Sequence, residues 1–216
     1  MIEKNSAYYK GVAKGNLQNN WGTAILVCLI ITAISVLAGL IPVAGSIVAV
    51  IIAGPLTVAE LCYFSALHRK QQPTIGTAFT DFGNGFWGKV GAYLLESVYV
   101  ILWTLLLIIP GIIKSYSYAT TMFLKSKNPE IKAKEAIALS QKIMDGKKAK
   151  LFCLDLSFVG WMILCVFTLG IALIYVIPYM NASRVAFYEE AYIEYQEKIG
   201  NIVDVKPLSD NEIEVE

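Results

Sequence analysis

The chain has 216 residues, 56% of them hydrophobic and only 16% charged, with a mean hydropathy of +0.56, a balance that excludes an ordinary soluble domain. A formal net charge of +1, and a lysine-rich stretch without interleaved aromatics, exclude a nucleic-acid surface. The four cysteines, Cys28, Cys62, Cys153 and Cys165, lie in apolar segments with no C-x-x-C pair, so neither a disulfide framework nor a zinc site is indicated and no metal or cofactor is expected.

In chain order, the polar residues 1–20 lack the pattern of a cleavable signal and read as a weakly amphipathic helix carrying Tyr9, Val12 and Asn16 on one side. Trp21 marks an interface. The 45 residues from Gly15 to Ala59 carry no charge, enough for two spans across a hydrocarbon core of about 30 Å. Spans are expected at 22–41 and 46–67, with a turn from Pro42 to Gly45 and a bend or break near Gly54-Pro55. Gly45, Ala49 and Ala53 recur every four residues, a spacing that lets helix backbones approach closely in lipid.

His68, Arg69 and Lys70 close the second span. Ile75, Ala78, Phe79 and Phe82 then follow the helical period, predicting a short interfacial helix over 74–82, and Phe86 and Trp87 add an aromatic anchor. A third span is expected at 89–109 and a fourth at 111–126, with Pro110, Gly111 and Lys114 forming an outer hairpin turn. The polar row after it, Ser115, Ser117, Thr120 and Thr121, is expected to bond across helices.

Residues 128–146 predict an amphipathic helix over 129–145, with Asn128 as N-cap, Pro129 first and Gly146 just past the end. Its apolar face carries Ala133, Ala136, Ile137, Ser140, Ile143 and Met144, and it lies on headgroups or docks a membrane-protein partner. Two further spans are expected at 150–168 and 170–188. Residues 191–216 form an acidic tail, helical at first and then disordered.

Charge distribution sets the topology. Residues 125–150 hold eight lysines against Glu130, Glu135 and Asp145, and short basic loops stay cytoplasmic. Six spans place every basic segment and both termini on that side, leaving only Lys114 near the other. The expected fold is therefore all-α, a polytopic bundle of six transmembrane helices in three hairpins with short interfacial helices, surrounded by the lipid bilayer. Glu60, Glu96, Asp155 and Arg184 fall at similar depth near the inner boundary, a candidate buried charge cluster that either fixes helix packing or holds a proton, cation or substrate. H-E-x-x-H, G-x-S-x-G, Walker and G-x-G-x-x-G motifs are missing, so no catalytic residue is assigned.

A-K-G-N with N-W-G-T-A-I-L, L-L-L-I-I-P-G-I-I-K, Y-S-Y-A, N-P-E-I with E-A-I, M-D-G-K-K-A-K-L-F-C-L-D-L-S-F-V-G-W, T-L-G-I, P-Y-M and A-F-Y-E-E occur in order over roughly residues 7–191. With these the chain resembles a family of bacterial integral membrane proteins known as domain of unknown function 975. Leu17-Gln18-Asn19 departs from that family's more compact G-N-W-G. The resemblance implies a multi-pass protein of the bacterial cytoplasmic membrane and supplies no catalytic or binding residues. The expected role is a non-enzymatic membrane-organising, modulating or protective protein; the alternative is a small transporter or exporter component coupled to a cation or proton through its inner-facing acids.

Overall fold

The computed structural model describes residues 5–40 and 44–200. Pro42, in the expected turn after the first span, and the acidic residues 201–216 lie outside them. The described residues form eleven α-helices and no strands: α1 (Ser6–Leu17), α2 (Trp21–Gly39), α3 (Ala44–His68), α4 (Ile75–Phe79), α5 (Phe86–Leu106), α6 (Ile108–Tyr118), α7 (Thr121–Lys127), α8 (Ala133–Ile143), α9 (Lys148–Leu156), α10 (Val159–Phe167) and α11 (Leu173–Gly200). Four segments are long and apolar enough to cross a membrane: Trp21–Gly39, Gly45–His68, Phe86–Leu106 and Lys148–Phe167.

Large apolar side chains are exposed mainly towards the helix ends farthest from the charged segments. Leu37 on α2 and Leu40 just past its end, Ile47 on α3, Leu105 and Leu106 on α5, Ile108 and Ile109 on α6, and Val166 and Phe167 on α10 are all more than 60% exposed. At the other end two buried clusters meet. One joins Tyr9, Phe123, Ile143, Met144, Leu151, Leu154 and Phe187, and the other joins Ala13, Leu17, Val27, Tyr63, Phe64, Leu67 and Val185. Burying aromatic and aliphatic side chains of this size contributes about 1.5–3 kcal/mol each, so this end holds the bundle together.

Helix α1 contributes Tyr9, Ala13 and Leu17, spaced by four residues so that they share one face. That face packs on the middle of α11, where Tyr9 meets the Phe187 ring edge-on at 5.2 Å and Ala13 and Leu17 cluster with Ala182 and Val185. Asn5 caps α1 through its side chain, which accepts from Tyr8 N at 3.2 Å.

Several expected features sit elsewhere. α3 runs unbroken through Pro55; a bend at Gly54-Pro55 is thus not a break. Gly54 instead permits close packing, since a Cβ there would lie 2.7 Å from Lys89 O and 2.9 Å from Tyr93 Cβ on α5. Along the small-residue stripe Gly45 is buried, while Ala49 and Ala53 are half-buried.

The chain reverses at Leu107, in extended conformation (φ −160°, ψ 138°), three residues before Pro110-Gly111. Pro110 falls in the first turn of α6, where its missing N–H has no helical partner to lose. Gly111 lies against Thr104, with a Cβ placed 2.6 Å from Thr104 Cα, so it is the contact that closes the α5–α6 pair rather than its turn.

The helix expected from Pro129 begins at Ala133. Lys125 is 2% exposed, and its Nζ donates to the carbonyls of Pro129 at 2.9 Å and Ile131. Those carbonyls are thereby withdrawn from helical pairing, and Glu135 accepts from Lys132 N to start the helix there. The apolar face of α8, with Ala136, Ile137, Ser140 and Ile143 buried, is spent inside the chain. The 150–168 segment is interrupted at Ser157-Phe158, and α11 continues to Gly200 with Ala191 buried, so the helical part extends ten residues past 190.

Candidate functional site

Helix α11 is the spine of the charged region. Asn181, Arg184 and Tyr188 recur at helical spacing and present one face to α3, α5, α6 and α9. Arg184 Nε donates to Asp155 Oδ1 on α9 at 2.8 Å, and Tyr116 OH on α6 donates to Asp155 Oδ2 at 3.1 Å. Both carboxylate oxygens of Asp155 are thus engaged.

Glu60 on α3 accepts from Asn181 Nδ2 and, at 3.5 Å, from Cys28 Sγ on α2. It also lies within electrostatic range of Arg184. Glu96 on α5 stands apart: its Oε2 is buried and has no hydrogen-bond partner among the described residues. Tyr188 on α11 lies within electrostatic range of Glu96, Asp155, Arg184 and Tyr116. The four residues named from the sequence therefore occupy one region, with Asp155 and Arg184 in direct contact, Glu60 linked through Asn181, and Glu96 unbonded at that oxygen.

Sequence reasoning missed Asn181, Tyr116 and Tyr188, which complete these links. Their spacing relative to Arg184 on α11 is a signal available in advance for Asn181 and Tyr188. Tyr116 has none, because its reach to Asp155 depends on how α6 and α9 pack.

A second charged layer lies further along α11. Glu189, 5% exposed, pairs with Lys127 Nζ at 2.6 Å and Arg69 at 3.4 Å, while Lys147 pairs with Glu194 at 2.7 Å. Burial holds the Lys127 ammonium below the ordinary lysine range, and the neighbouring Glu189 carboxylate partly opposes this.

Of the polar row after Lys114, Thr120 bonds across helices, its Oγ1 2.8 Å from Ser140 Oγ, which donates to Ser117 O at 3.0 Å; the hydroxyls of Ser115 and Thr121 instead donate to the nearby carbonyls of Ile112 and Tyr118. Lys114 takes no part in the charged region; its Nζ lies 4.9 Å from the centre of the Trp103 ring. No group of three or more metal-ligating side chains occurs among the described residues.

Fold and charged region together define an all-helical protein with four helices long and apolar enough to cross a membrane. Residues 98–193 match the family described as Protein of unknown function (DUF975). This match runs from the middle of α5 to within α11 and takes in Asp155, Arg184 and the whole of α6 to α10, so the family resemblance is shown over those residues. Neither curated proteins nor solved structures yielded a match.

Proposed function

We propose that this is a non-enzymatic, multi-pass membrane protein that organises, modulates or protects the bilayer or a complex within it. In this reading the chain crosses a bacterial cytoplasmic membrane six times, the interrupted α6–α7 segment and the first half of α11 completing the set, with both termini and the lysine-rich 125–150 segment on the cytoplasmic side. The observation that carries it is the division of the surface: exposed large apolar side chains towards one end, buried cores and charge pairs at the other. Asp155 and Arg184 act as a bolt between helices, since both carboxylate oxygens of Asp155 are used within the chain, one of them by Arg184. The lysine-bearing side of the 129–145 segment, whose apolar face is already covered, is the surface offered to headgroups or to a membrane-protein partner.

Glu96 supports a second reading, a small transporter or exporter component, because its Oε2 has no hydrogen-bond partner and an unbonded intramembrane carboxyl group is suited to exchanging a proton or cation. Flux into proteoliposomes, compared with Glu96→Gln and Asp155→Asn, separates the two: ion- or substrate-dependent uptake by the wild type that either variant abolishes would overturn the first. Cysteines placed at positions 114 and 132 should label from opposite sides of the membrane, and labelling from one side sinks the six-span topology.

A further inference from the structure

We propose that Lys114 binds the phosphate group of an anionic phospholipid in the leaflet around the α5–α6 tip, an inference that rests on reading α5 and α6 as membrane crossings. Lys114 is seven residues from the reversal at Leu107, about 10 Å of helix. The 17 residues between Glu96 and Lys114 carry no charge. Its surroundings at the tip are apolar and open: Leu105, Leu106, Leu107, Ile108 and Ile109 are each 63–83% exposed. Such a tip is compatible with acyl chains and not with water.

The ammonium has a fixed place in this setting. It rests on Trp103, 4.9 Å from the ring centre, with Tyr118 at 5.9 Å. Trp103 on α5 lies four residues before the reversal at Leu107 and Tyr118 on α6 eleven after it, so the ammonium sits between the two helices. Ring faces stabilise a cation, but they do not accept the three directed N–H bonds of an ammonium.

The ion pairs among the described residues are made by other cations, and no carboxylate among those residues lies within ion-pair distance of Lys114. A phosphodiester oxygen supplies the missing acceptors and the missing charge at once. An anionic lipid fits better than a zwitterionic one, whose own ammonium competes for the same phosphate. Because Lys114 stands about 10 Å of helix below the reversal, the phosphate is drawn inward and the leaflet is locally thinned beside it.

The test uses the full chain in nanodiscs of equal phosphatidylglycerol and phosphatidylcholine, released gently for native mass spectrometry. Wild type and Lys114→Arg should each retain one phosphatidylglycerol more than Lys114→Gln, whose fold is checked by circular dichroism and gel filtration. Lys114→Met, with an unbranched apolar stem suited to this surface, takes its place if the Gln variant does not fold. Equal retention by wild type and the neutral variant, an unchanged ratio of the two lipids, or capture of inorganic phosphate in place of phospholipid each overturns the proposal. Failure of the crossing itself is read separately, by the cysteine labelling at positions 114 and 132.

Discussion

Asp155 ties three helices together, accepting from Arg184 on α11 and Tyr116 on α6. Asp155→Asn removes the charge that Arg184 faces, and charge-assisted bonds of this kind contribute about 1.5–3 kcal/mol. The expected outcome is a lowered melting temperature in detergent, with Tyr116→Phe costing less because only a neutral donor is lost. Lys127 makes a prediction about pH. Its folded pKa lies below the ordinary lysine value, so between the two values the unfolded chain binds more protons and stability rises with pH. That contribution is complete above the unfolded value of about 10.4 and is lost as pH falls through the folded one. Glu189→Gln removes the group that opposes the shift, so the rising limb should begin at lower pH. Thermal unfolding followed at several alkaline pH values checks it, and a limb that does not move refutes it.

The α5–α6 pair depends on a glycine contact, and two glycines give a matched comparison. A methyl group at Gly111 meets Thr104 Cα at 2.6 Å, whereas one at Gly91 on α5 meets nothing within 4 Å. Gly111→Ala is therefore expected to cost about 1–3 kcal/mol by overpacking. Gly91→Ala should stabilise by about 0.5–1 kcal/mol through helix propensity. Melting temperatures of the two variants moving in opposite directions is the expected result. At the α6–α8 contact, Ser140→Ala leaves Thr120 Oγ1 and N and Ser117 O without this partner, at a cost of about 1–3 kcal/mol. Hydrogen exchange at residues 117–121 should accelerate, and unchanged protection there would mean that the hydroxyl pair is incidental.

Across the whole molecule, long apolar runs were the most legible feature. Uncharged stretches such as 15–59 read directly as helices able to cross a membrane, because hydrocarbon thickness demands about 20 apolar residues and a helix satisfies its own backbone. The face of α8 was equally legible, since Ala136, Ile137, Ser140 and Ile143 follow the helical period and are buried as that period requires. The sequence by itself determined the all-helical character and four of the six expected spans, and it put Asp155 and Arg184 at similar depth. Tertiary structure alone decided that Pro110-Gly111 lies inside α6, because a proline is equally at home in a turn and in a first helical turn, and only the Thr104 contact distinguishes them. It alone set the start of α8, where a lysine side chain from α7 competes for backbone carbonyls. It also separated Glu96 from the other acids, because sequence reports the depth of a carboxyl group along its helix, whereas its bonding partners depend on which neighbouring helices turn donors towards it.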